Sequence, residues 1–412
     1  MVPQKLFTRN FTLLLLGQIS SLLGNYTLKF ALSMYVLDKT GSASIFASLL
    51  AAALLPTILL SPLGGILADR ADRRRSMVTL DVLSGASVAV TGLLLPLGQE
   101  IGVIAGLLVV LSVLAAFESP TVQACIPQML PPDQLMKGNA AVNQVQAIAG
   151  LVTPFLGSVV YTAFGLMPVL WGTVVCFWLT AALECGLHLK RPRKAAPLPL
   201  RTVLREEFSA GFHFLRRERP EIVQLLLLAA LASLFVAGTV VVGFPFLVRT
   251  VLGLPAGYYG AAESAMGGGV ELGGLFGGLM AQRFRLRWLA LVFVGLGLCL
   301  LSAGLVFRLP LNTLGVYLVL LLAFCAGQFG CSLFSTCAVS VIQARTPDHL
   351  MGKVMACVFT LSMCAQPVGQ IVYGALFDWF ARSPGWVLIP SGLLVCAIGC
   401  LSARFFLRLE SH

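Results

Sequence analysis

Apolar runs of twenty or more residues recur from one end of this chain to the other. A run of about 20 residues is what a helix needs to cross roughly 30 Å of hydrocarbon. Of 412 residues, 58% are apolar and 11% charged, and the mean hydropathy is +0.91. That composition cannot clothe a soluble domain in polar surface, so the chain reads as an integral membrane protein. Spanning helices satisfy their own backbone groups, which an open sheet in lipid cannot do. The runs predict spans at about 11–37, 43–68, 74–96, 101–126, 136–161 and 165–188. Six more lie at about 222–248, 257–282, 286–307, 314–344, 349–379 and 385–408. The first begins near Phe11 without a small-residue cleavage pattern and reads as a retained span rather than a signal peptide.

The extended polar stretch from Lys190 to Glu221 divides these spans into two sets of six. It opens as KRPRKAAPLPL, where Pro192, Pro197 and Pro199 oppose a helix. It continues with Phe208, Phe212 and Leu215 at helical spacing against charged residues, the pattern of an amphipathic helix on a membrane surface. The expected domains are therefore a bundle over 1–189, a linker over 190–221 and a second bundle over 222–412. Most of the 28 Lys and Arg fall in segments that share one side with the amino terminus; Lys39, Arg249, Arg308 and Arg382 fall on the other, and Lys29 within a span. The bias puts both termini in the cytoplasm and the chain in the cell membrane as a multi-pass protein. The net charge of +11 is then a topology signal, helped by anionic lipid, and gives no reason to propose nucleic-acid binding.

The loop after the second span reads GGILADRADRRR, Gly64 to Arg75. Its counterpart after the eighth reads GGLMAQRFRLRW, Gly277 to Trp288, with Gln282 in place of Asp69. PPDQLMKGN (131–139) likewise aligns with TPDHLMGKV (346–354). Two six-helix halves repeated about an axis along the membrane normal are one known transporter plan, with the substrate site near the midplane.

Twelve spans, a basic central stretch and GxLADRxDRRR after the second span resemble the major facilitator superfamily, over nearly the whole chain. The fold class expected is all-α, with twelve transmembrane helices in two pseudo-symmetric six-helix bundles. The DRxDRRR form, with the preceding NFTLLLLGQISSLLGNYTLKFALSMYVLDKTGSA, looks most like the macrolide-efflux and siderophore-export branch. GLVTPFLGS (150–158) is similar to the antiporter motif GxxxGPxxGG, with Thr153 and Ser158 replacing two glycines. The resemblance implies a cytoplasmic gate built from Gly65, Asp69, Arg70, Arg73 and Arg74. In it, Asp69 would face the amino terminus of helix 11 near Thr346, Pro347 and Asp348. It also implies that Arg73 pairs with an acid low on helix 4; Glu118 lies about two turns too deep, so Asp81 on helix 3 is an equal candidate. Topology marking is the plainer role for the same charges.

Ionisable residues within spans are expensive and tend to face a partner or a wet cavity. Lys29, Glu118, Glu263 and Glu271 are of this kind, with Lys29 open to pairing with Glu263 or Glu271, whereas Glu184 falls too near the inner surface to count. Related exporters usually carry an acid where this chain has Asn25. With Gln144 and Gln366, Asn25 completes the residues expected around a substrate and coupling cavity; interhelical hydrogen bonding is the alternative for each amide. The eleven Cys lie in spans without C-x-x-C, the four His lack ligand spacing and there is no GxxxxGK[ST], so no metal, cofactor or ATP hydrolysis is expected. These features describe no enzyme. They describe a monomeric secondary transporter that exports an amphipathic or apolar small molecule (a drug, macrolide-like compound or siderophore) by alternating access, with proton antiport. An importer or lysolipid flippase on the same fold, or a non-transporting receptor or scaffold, are the competing readings.

Overall fold

The computed structural model describes residues 6–189, 220–280, 287–347 and 350–411. The amphipathic helix expected around Phe208, Phe212 and Leu215 lies outside the described residues. Twelve long helices appear among them: α1 (Arg9–Thr40), α2 (Ala43–Arg70), α3 (Arg73–Leu94), α4 (Glu100–Met129), α5 (Leu135–Phe164) and α6 (Leu166–Cys185), then α7 (Pro220–Val236, continuing to Val251), α8 (Ala256–Met280), α9 (Trp288–Leu305), α10 (Thr313–Arg345), α11 (Met351–Trp379) and α12 (Gly385–Ser411). Eleven are long and apolar enough to cross a membrane; α8 falls short because its glycines and two glutamates dilute its apolar residues. The chain is a multi-pass membrane protein.

The described residues form two compact units. One comprises the chain up to Val36 and from Ala52 to the end of α6; the other comprises Leu37–Ala51 with every helix from α7 onward. In the first, α3 packs on both α4 and α6. Hydroxyls stitch α1 to α6: Thr180 donates to the Gly17 carbonyl at 3.2 Å, Thr173 to that of Gly24 at 3.2 Å, and Ser20 to that of Cys176 at 2.9 Å. Apolar burial drives little association where lipid tails are equally apolar, so such bonds and close backbone approach hold the helices together. A buried layer of Phe11, Leu14, Met77, Val122, Cys125, Ile126 and Leu187 closes the unit near the end that carries Arg73 to Arg75.

Close approach begins with α4. Pro120 has no N–H, so the Ala116 carbonyl four residues earlier loses its helical partner. Gly64 of α2 fills the gap: a Cβ there would lie 2.1 Å from that oxygen. In the second unit a stripe on α8, Gly269, Gly273 and Gly277, meets α10 in the same manner, and a Cβ on Gly273 would lie 2.3 Å from the Phe329 carbonyl oxygen. The run of glycines in this span is thus a packing surface.

One element departs from the sequence expectation. The seventh span is not a uniform helix: Ala237–Gly243 and Leu247–Val251 wind as wider π turns around the short α segment Phe244–Phe246. Pro245 explains the change, because its ring displaces the chain against the carbonyl of Val241 and removes one donor.

The two glycines of the loop motif have different surroundings, since nothing lies within 4 Å of a Cβ on Gly65. Gly64→Ala is expected to destabilise the purified protein by about 1–3 kcal/mol through overpacking, and Gly65→Ala to leave it unchanged or slightly better. Equal melting temperatures for the two variants in detergent would contradict this packing account.

Candidate functional site

Gln18, Leu22, Asn25 and Tyr26 recur on α1 at helical spacing and so share one face. They line a cavity of about 620 Å³ within the first unit. Opposite them α4 presents Glu118, Ser119, Val122, Gln123 and Ile126, and α5 presents Asn139, Val142, Asn143 and Gln146. Val122, Ile126 and Val142 also belong to the buried layer, so one wall of the cavity is the core itself.

Glu118 is the carboxylate among the lining residues. It accepts a hydrogen bond from the Ser21 hydroxyl at 3.4 Å, and its charge faces that of Lys29, one turn beyond Asn25 on α1. Within its own unit, the acid facing Lys29 is Glu118. The amide oxygen of Asn25 is shut off from solvent with no donor in reach among the described residues. Gln144 sits one position off the α5 stripe; it is exposed and does not line the cavity.

In the second unit Glu263 is partly buried and is hydrogen-bonded by Tyr259 one turn away, while its Oε2 has no other donor among the described residues. Glu271 is exposed on α8, and Gln366 is partly buried on α11. It is Gln370, one turn on, that is buried, with no partner for its Oε1 among the described residues.

The expected gate is described in part. The side chains of Asp69 and Arg70, and Asp348 entirely, lie outside the described residues. Asp72 caps α3 by accepting from the Arg75 amide at 3.3 Å. Arg73 donates to the carbonyls of Ala68 at 2.9 Å and Ala124 at 2.8 Å, pinning the α2–α3 turn to α4, and Arg74 donates to the carbonyl of Cys185 at the end of α6.

A carboxylate at a helix amino terminus does occur, at a place the sequence did not suggest. Asp378, at the end of α11, accepts from the amides of Ala43 at 2.6 Å and Ser44 at 2.9 Å and from the Ser42 hydroxyl at 2.6 Å. It thereby satisfies the first amides of α2 from another helix. Gly374, one turn earlier, permits this closeness, since a Cβ there would lie 2.6 Å from that of Ala47. Beside it Arg249 of α7 donates to Asp38 of α1 through two nitrogens and to the Leu254 carbonyl at 2.6 Å. These bonds are why residues 37–51 group with the second unit.

Residues 14–369 match the Major Facilitator Superfamily, and the chain belongs to that family of membrane transporters. It is 25% identical over 394 residues to macrolide efflux protein A of Streptococcus pyogenes, covering 93% of each chain. It is 26% identical over 383 residues to the multidrug efflux pump Tap of Mycolicibacterium fortuitum, covering 89% of this chain and 88% of the pump. Its fold is shared with a bacterial homologue of the iron transporter ferroportin in an inward-facing state, with a TM-score of 0.74, 18% identity, and coverage of 98% and 99%. The chain is a transporter and not an enzyme.

The helix cap offers a local test. Asp378→Ala should raise hydrogen exchange at the Ala43 and Ser44 amides by about tenfold, the equivalent of a cap worth roughly 1.4 kcal/mol. Unchanged exchange in the peptide containing them would contradict the cap.

Proposed function

We propose that the protein exports an amphipathic small molecule from the cytoplasm by alternating access, in exchange for protons. The observation that carries this reading is the polar cavity of about 620 Å³ walled by α1, α4 and α5. Ligand sites of roughly 300–1,000 Å³ suit drug-sized molecules. Six carboxamides offer donors and acceptors, while Leu22, Tyr26, Val122, Ile126 and Val142 offer apolar contact. Such a lining suits a molecule with several hydroxyl or carbonyl groups on an apolar body. The names of the two relatives, a macrolide efflux protein and a multidrug efflux pump, agree with that substrate class and with export.

Coupling would centre on Glu118. A carboxylate deep in a span is expensive to keep and marks function by default. If a proton and the substrate compete for the same carboxylate, their bindings exclude one another, which is the thermodynamic requirement for exchange. Lys29 holds the vacant carboxylate in place, and Asn25 supplies an acceptor beside it. Glu263 in the second unit is the next candidate for a titrating group.

Access to the two sides would alternate through contacts at opposite ends of the helices. Asp378 on the amino terminus of α2, reinforced by Arg249 on Asp38, would act at the end away from the Arg73–Arg75 cluster. The motif residues Gly65, Asp69, Arg70, Arg73 and Arg74, with Asp348, would act at the cytoplasmic end. The protein would work as a monomer built from bundles over 1–189 and 222–412. The charge distribution supports a place in the cell membrane with both termini inside.

Purified protein in liposomes with an imposed pH gradient tests this reading. A macrolide or other amphipathic drug should move against its gradient in the wild type, and Glu118→Gln should reduce proton-driven transport at least ~10-fold while leaving downhill exchange measurable. Equal rates with the gradient collapsed would remove proton coupling, and a fully active Glu118→Gln would remove Glu118 as the coupling group.

A further inference from the structure

Between α3 and α6 lies a second group of acids that transport through the cavity does not use. Asp81 is 0% exposed and Glu184 is 2% exposed. Both oxygens of Asp81 and Oε2 of Glu184 are sealed from solvent, and among the described residues no N–H or hydroxyl donor reaches them. Yet the two carboxyl groups lie within hydrogen-bonding reach of each other. Two carboxylate oxygens are acceptors only and cannot bond; a carboxylic acid and a carboxylate can. Sealing two bare negative charges together in a low-dielectric interior is prohibitive unless one is neutralised.

We propose that Asp81 and Glu184 form a proton-binding site, a carboxyl pair holding one proton between its facing oxygens. The ligand is the proton alone. Its place in the bond satisfies buried oxygens that the surrounding helices leave without donors.

The surroundings support a single added positive charge. From α4, Glu118 and the Cys125 thiol face the pair, and Glu118 adds negative charge toward both carboxyls. From α1 the packed neighbour of Glu184 is Gly17, which has no side chain to donate, and Lys29 on the same helix is directed at Glu118. On α6, the Thr180 hydroxyl one turn from Glu184 is engaged by the carbonyls of Gly17 and Cys176. On α3, Arg73 lies two turns away and bonds the carbonyls of Ala68 and Ala124. The α3–α6 seam is closely packed one turn from Asp81, where a Cβ on Gly85 would lie 2.5 Å from Trp178 Nε1.

The proton site does not depend on what drives export, because it follows from the burial of the two carboxyls, their lack of donors and their closeness to each other. Through Glu118 it is nonetheless in electrostatic contact with the cavity, so the charge of a bound substrate would be felt at the pair.

Infrared spectroscopy of the purified protein in detergent tests the assignment. At neutral pH the wild type should show a buried protonated-carboxyl stretch that shifts in deuterium oxide. The stretch should be lost in Asp81→Asn and in Glu184→Gln and kept in Glu118→Gln. Labelling Asp with carboxyl ¹³C in the wild type should move or split the band, a readout that needs no variant to fold. Absence of a buried protonated-carboxyl band from the wild type, or a band untouched by both single substitutions, would overturn the proposal.

Discussion

No water is available inside a bilayer to satisfy a peptide group, and every feature of this transporter answers to that constraint. It dictates helices, and it makes each interruption of a helix an event that must be compensated nearby. Pro120 strips the Ala116 carbonyl of its partner, and Gly64, which has no Cβ, lets α2 pack directly against that oxygen. The amino terminus of α2 exposes amides, and the compensation is Asp378 from α11. Contacts between helices thus gather where a helix's own bonding is interrupted.

The same constraint sorts the polar side chains. Those with partners inside the seams, such as Thr173 and Thr180, fasten helices together. Those without one among the described residues, such as the Asn25 oxygen and the carboxyls of Asp81 and Glu184, are where the proposed ligand and proton would complete the bonding.

Much of the fold is legible in the sequence. The helices fall where the apolar runs put them, α8 least clearly because its glycines and two glutamates dilute its run, since spanning length is set by the bilayer and not by tertiary context. Glu118 and Asn25 are legible as cavity residues because an ionisable or amide group in a span needs a reason. Gln144 misleads because amides cluster on α5, although helical geometry gives the cavity only Asn139, Asn143 and Gln146. Glu184 lies near the inner surface by its depth, yet it is buried: depth along a helix says nothing of which neighbours enclose it. Asp378 is hidden in the sequence because its role depends on a helix more than 300 positions earlier in the chain, and only Gly41 and Ser42 before α2 hint at a start in need of a cap.

The wide turns of α7 change the angular phase of that helix. Each extra residue accommodated in a turn rotates the remainder of the helix by about 100° relative to a regular one. The face that α7 shows beyond Gly243 is therefore not the continuation of the face it shows before Ala237. Arg249 lies beyond both Pro245 and the first widened turn, and its aim at Asp38 is set by that rotation. A proline in the middle of a span thus acts as a dial, and the ion pair at the helix end records its setting.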